Sequence, residues 1–134
     1  MFAMNAEQGL FAAFVIPAKR QRYIELLGTK RGRERVRGAL DHFNDLDPCF
    51  CRKIVGQDAK PAAVLDALRK LGAPLQCHVI SVHGELDGRD MPLSDALQIA
   101  IGSGQGTFIS CITGVLAYFE GEEPDERYIC QRDR

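Results

Sequence analysis

Tryptophan is absent from this sequence, and aromatic residues of all kinds make up only 7% of it. No apolar run approaches the roughly 20 residues that a membrane-spanning helix needs. The longest candidate, Leu10 to Pro17, follows Glu7, and its cations come after it rather than before it. That is the reverse of a secretory signal, so no membrane partner is expected. Excess charge of one sign is also lacking. The net charge of −1 argues against a chain that grips nucleic acid over its whole surface. Cysteine is present in an odd number, five, which does not suit a closed disulfide framework. The reading is reduced thiols and a cytoplasmic location.

What is present fits one globular domain spanning residues 1–134, with 46% hydrophobic and 26% charged residues. A chain of this length buries roughly two-thirds of its unfolded surface and needs no disulfide or structural metal. Residues 1–13 carry little pattern and are read as a loose N-terminal extension, with the apolar run as a strand or a lead-in to a helix.

Pro17 opens a helix over 17–27 that Gly28 ends, with Ile24 and Leu27 inward. Thr29 caps a second helix over 29–43, whose Val36, Leu40 and Phe43 share one face. Residues 44–57 form a connector rich in turn residues. A helix over 58–72 follows, with Asp58 as its cap, Val64, Leu65, Leu68 and Leu71 as its stripe, and Gly72 and Pro74 as stops. A strand over 76–82, a polar loop over 83–91 and a helix over 92–101 come next. Gly102 to Gly106 then breaks the chain before two β-rich runs, 107–112 and 115–120, joined at Thr113-Gly114. A last strand covers Tyr128 to Gln131. This order predicts an α+β fold: N-terminal helices packed on a small, mainly antiparallel sheet that ends in a three-stranded meander. Leu65, Leu68, Val79, Ile80, Ile109 and Leu116 form the expected core.

Charge is distributed unevenly. Residues 19–37 hold eight cations against two anions, and residues 85–127 hold nine anions against two cations. The two regions are read as partners within one fold or in a dimer, or as separate binding faces. Because the hairpin is apolar on both faces, a homodimer through the sheet is expected, covering a face the helices leave bare.

The stretch His83 to Asp90 is the most site-like. His83, Glu85, Asp87 and Asp90 supply a base and three carboxylates, and Arg89 a cation, between a strand end and a helix start. These four are the catalytic candidates for a small hydrolytic or acid–base enzyme. The bland reading is a solvated turn, with Asp87-Gly88 as turn chemistry and Asp90 as a helix cap. Lys30, Arg33 and Arg37, with Arg89, are the ligand-binding candidates, on the reading of a phosphate or nucleic-acid binder. Against it stands a solvated helix face, or pairing with acids elsewhere, and nucleic acid is the less favoured partner. The Gly102–Gly106 loop runs from helix into strand, the wrong direction for a phosphate cradle. Cys49-x-Cys51 with His42 lacks the second close pair of a zinc site, so no metal and no cofactor are expected. A nucleophilic cysteine served by His78 or His83 is disfavoured by strand burial. Whether the chain is an enzyme stays open, and the leading reading is a non-enzymatic binding or regulatory module for a protein or a small molecule.

Overall fold

A computed structural model describes residues 3–132 of the chain. Among them, five α-helices and six strands follow one another. The first helix, α1 (Ala6–Phe14), is started by a reciprocal capping box: the Gln8 amide donates to Asn5 Oδ1 and the Asn5 amide donates to Gln8 Oε1, each at 2.8 Å. Residues 6–13 are therefore not a loose extension. Leu10, Phe11 and Phe14 are completely buried, so this segment belongs to the core. Met1 and Phe2 lie outside the described residues.

A short 3₁₀ turn (Pro17–Lys19) leads into α2 (Arg20–Leu26), and Thr29 caps α3 (Lys30–Gly38) by accepting from the Gly32 amide at 3.0 Å. Gly32 answers to close packing. A Cβ there would lie 2.0 Å from the Leu26 carbonyl oxygen, so only glycine lets α3 fold back this tightly on α2. A 3₁₀ turn (Leu40–His42) completes the segment read as one helix over 29–43.

The connector after it hides a three-residue edge strand, β1 (Cys51–Lys53). Helix α4 (Pro61–Lys70) begins with Lys60 in the N-cap position, so Asp58 is not its cap; Asp58 sits in a preceding 3₁₀ turn. Strand β2 (Gln76–Ser81) is followed by a tight loop and by β3 (Asp90–Pro92), which takes Asp90 out of the role of helix cap. Helix α5 (Leu93–Ala100), β4 (Thr107–Ile112), β5 (Leu116–Glu120) and β6 (Arg127–Gln131) lie close to the predicted positions.

The strands form one antiparallel sheet in the order β1-β6-β5-β4-β2-β3, in which β4, β5 and β6 make the expected meander. Gly102 and Gly104, with φ of +87° and +71°, turn the chain from α5 into β4.

Helices cover both faces of this sheet. Against one, α1, α2 and α3 pack Leu10, Phe11, Phe14, Leu27, Val36 and Leu40 onto Ile80, Phe108, Ala117 and Phe119. Against the other, α4 and α5 pack Val64, Leu68, Leu93 and Leu97 onto Val79, Ile109, Leu116, Tyr118 and Ile129. Leu68, Val79, Ile80, Ile109 and Leu116 are fully buried and Leu65 partly so, as the apolar pattern predicts. The expected bare face is not there. Helix α1 adds cover where a loose extension was expected, and this removes the reason for placing a dimer contact on the sheet. No helix among the described residues is long and apolar enough to cross a membrane.

Candidate functional site

Helix α3 divides its cations between two sides. Arg33 and Arg37, one turn apart, face the molecule. Arg33 donates from Nε and Nη2 to the two oxygens of Glu7, at 2.7 and 2.9 Å, and from Nη1 and Nη2 to the two oxygens of Asp87, both at 2.9 Å. A guanidinium held by two carboxylates in this forked manner is among the strongest ion pairs available to a protein. Arg37 donates to the carbonyls of Ser81 and Val82 at 2.7 and 3.1 Å, and its Nε stands 3.2 Å from Asp87. Asp87 also accepts from the Ser81 amide at 3.0 Å.

The chain of charges continues from Glu7. Its Oε2 lies 2.8 Å from His78 Nε2, and His78 Nδ1 lies 2.7 Å from Asp90 Oδ1. Six groups thus alternate in sign: Asp90, His78, Glu7, Arg33, Asp87, Arg37. Burial alone would hinder ionisation of Glu7, but hydrogen bonds from His78 and then Arg33 outweigh it and bring its pKa down to about 2. The Glu7 hydrogen bond in turn raises His78 above its ordinary value, with Asp90 adding to the effect against partial burial. Both ring nitrogens are engaged, so a charged imidazolium fits between the two carboxylates.

An open cleft of about 470 Å³ runs over this network, lined by Asn5, Ala6, Glu7, Arg33, His78, Gly88 and Asp90. Of the catalytic candidates only Asp90 borders it. His83 and Glu85 sit on the outside of the turn, where the Glu85 amide donates to His83 Nδ1 at 3.3 Å. Arg89 is exposed and donates to the Glu85 carbonyl, also at 3.3 Å. The turn is pinned by Leu86, which is fully buried, and by the Gly88 amide on the Val79 carbonyl at 2.8 Å. His83, Glu85, Asp87 and Asp90 therefore do not converge on one point. Asp87 points inward to the arginines, Asp90 points to His78, His83 is half-buried and Glu85 is exposed. The sequence reading missed Glu7 because it left residues 1–13 unstructured. The spacing Asn5-x-x-Gln8 is the signal that finds α1.

The outer side of α3 differs. Lys30, Arg31 and Arg35 are exposed, as is Arg22 on α2, and none forms an ion pair with a described residue. Arg22 and Arg35 flank a second cleft, of about 200 Å³, between α2 and α3. Its lining includes Tyr23, Leu26, Val36 and Ala39, with Lys19 paired to Asp45 at one end at 3.3 Å. Asp45 also accepts a hydrogen bond from the Tyr23 hydroxyl, so its charge is already engaged from two sides. Of the ligand-binding candidates, Lys30 thus stays on the open face, Arg33 and Arg37 are occupied inside, and Arg89 lies apart in the turn.

The cysteines are all free. Burial pushes Cys77 up to about 12 and raises Cys111 further. No cluster of three or more His, Cys, Asp or Glu with metal-binding geometry occurs among the described residues. Comparison with protein-family models, with curated proteins and with solved structures finds no match.

Proposed function

We propose that this chain is a cytosolic, non-enzymatic binding module that receives an acidic segment of a partner protein in the cleft between α2 and α3. The observation that carries the reading is the division of the α3 cations. Arg33 and Arg37 are neutralised by Glu7 and Asp87, while Lys30, Arg31 and Arg35 are exposed, and Arg35 faces Arg22 of α2 across a cleft with apolar walls. Exposed guanidiniums on both rims suit carboxylates. Leu26, Val36 and Ala39 between them suit an apolar side chain of the same segment, which a bare inorganic anion would leave unused. The acid–base groups of the molecule favour binding over catalysis, since His78 is engaged by Glu7 and Asp90, and Glu7 and Asp87 are engaged by Arg33. Five free thiols are consistent with the cytosol.

The test is fluorescence anisotropy of a labelled peptide in which leucines alternate with glutamates, set against a poly-glutamate peptide of equal length. The leucine-bearing peptide binds more tightly, and raising salt weakens it. Reversing both rim charges, Arg22→Glu with Arg35→Glu, weakens it by roughly tenfold or more, equivalent to about 1.4 kcal/mol. Equal binding of the two peptides, or an unchanged affinity in the double variant, refutes the reading.

A further inference from the structure

The edge of the sheet holds a second feature, independent of the basic cleft. Cys51 on β1 and Cys130 on β6 stand directly opposite each other in the antiparallel register. Their neighbours fix which kind of opposition this is. The Gln131 amide donates to the Phe50 carbonyl at 2.9 Å and the Ile54 amide to the Arg127 carbonyl at 2.8 Å. Residues 50 and 131, and likewise 54 and 127, are thus hydrogen-bonded pairs, which makes 51 and 130 a non-hydrogen-bonded pair. The Cys51 amide agrees, because it turns away from β6 to the Asp47 carbonyl at 3.0 Å. At such sites the Cα atoms approach to about 4.5 Å and the side chains lean together. That separation lies within the span of about 4.4–6.8 Å that disulfides bridge.

Both thiols are on the same face of the sheet, in the core beneath α1. Cys51 is nonetheless reachable. It borders two surface clefts, one of about 260 Å³ beside Leu46 and Tyr128 and one of about 160 Å³ beside Cys49 and Arg52. Cys130 is fully enclosed. The remaining buried thiols are placed differently. Cys77 and Cys111 face the opposite core and lie just beyond the paired residues of β2 and β4, which run from His78–Ser110 to Ser81–Thr107.

We propose that Cys51 and Cys130 form a redox-active dithiol that closes to an intrachain disulfide when a low-molecular-weight disulfide reaches Cys51. The Cys51 thiolate attacks one sulfur of the reagent. The reagent's S–S bond breaks, and one of its halves departs as a thiolate that takes up a proton. Cys130 then gives up its proton and attacks the Cys51 sulfur, and the second half departs and is protonated. Two protein thiols are oxidised by two electrons, and one reagent disulfide becomes two thiols. Burial, followed by the hydrogen bond and charge of Cys51, holds the Cys130 thiol well above the ordinary range, which assigns the first attack to Cys51 and the resolving step to Cys130. Cys49 is exposed, but the adjacent Asp47 carboxylate raises its pKa, so exposure alone does not make it the entry point.

The experiment treats the full chain with oxidised glutathione, alkylates the remaining thiols after unfolding, and maps peptides without reduction. The expected product joins the peptides containing Cys51 and Cys130, leaves Cys77 and Cys111 alkylated, and disappears with dithiothreitol. In Cys130→Ser the reaction stops at glutathione on Cys51, and Cys49→Ser still closes the disulfide. Three outcomes overturn the proposal: glutathione on Cys49 with no linked peptide, a link through Cys77 and Cys111, or a Cys51→Ser chain that still cross-links Cys130. Should Cys130→Ser not fold, the map of the unaltered chain decides alone.

Discussion

The two faces of the sheet are packed by different chemistry. Beneath α1–α3 the core is aromatic: Phe11 meets Phe108 at 5.2 Å between ring centres, and Phe108 meets Phe119 at 5.3 Å. This face is rimmed by the six-charge network. Beneath α4 and α5 the core is mostly aliphatic and carries one deeply buried carboxylate, Glu120, which accepts from Tyr118, from Arg127 and from the Gly102 amide. The difference lies in how each helical layer is tied down. Helices α4 and α5 are held by Leu, Val and Ala stripes of helical period. The layer of α1–α3 is assembled from short helices whose stripes are incomplete, and it is locked by rings and ion pairs contributed by distant parts of the chain.

Truncating the centre of each face tests this contrast most strongly. Phe108→Ala is expected to cost about 3–5 kcal/mol and Leu68→Ala about 2–5 kcal/mol, both read by urea denaturation. A loss below about 0.5 kcal/mol at Leu68, the range of surface changes, would show that α4 does not pack as described.

The network comes next in size. Arg33→Met leaves Glu7 and Asp87 facing each other without their shared cation, and should lower stability by about 2–3 kcal/mol. Glu7→Gln is expected to remove part of the same energy, so the double variant falls short of the sum of the single losses. Additive losses would mean that Glu7 and Arg33 are not coupled in solution.

Acidity separates the faces further. The pKa of Glu7 falls from 4.5 to about 2 on folding, so its contribution is complete above pH 4.5 and disappears as the pH drops toward about 2. His78 is raised above 6.5, so its contribution is complete below pH 6.5 and fades as the pH climbs through the raised value. The network is therefore strongest between these limits. Urea midpoints near pH 5.5 should exceed those near pH 9 through the His78 contribution. In His78→Asn that contribution is gone, and an undiminished difference would place its origin elsewhere.

The smallest effect is expected outside. Arg35→Ala should change stability by less than about 0.5 kcal/mol, since Arg35 pairs with no described acid. A loss comparable to that of Arg33→Met would erase the distinction between the inner and outer cations.

Much of the aliphatic layer is legible in the sequence. The Leu stripe of α4, the Thr113-Gly114 turn and the Gly102 stop are local signals that the tertiary structure obeys. The aromatic layer is less so. In α1 and at its C-cap the apolar residues Leu10, Phe11, Phe14 and Val15 crowd together and read as easily as a strand. Strands β1 and β3 have three residues each, too few to show alternation. The site is hidden for a related reason. Nothing in the run 30–37 tells inner from outer arginines, because the sorting depends on how Gly32 lets α3 sit against α2 and on a carboxylate at position 7. The opposite charges of 19–37 and 85–127 do meet within the fold, where Arg33 and Arg37 reach Asp87, although charge alone leaves a dimer contact or separate faces equally open.

The strand order carries a consequence for synthesis. β1 lies at residues 51–53, yet the strand it pairs with spans 127–131. Arg132 reaches back further still, donating to the Ala13 carbonyl at 2.9 Å. During synthesis the β1 side of the aromatic core cannot close until β6 has been made, because closing so long a loop must precede the contacts that reward it. Until then β1 lacks its strand partner, and Phe11 and Phe14 lack part of the core that covers them.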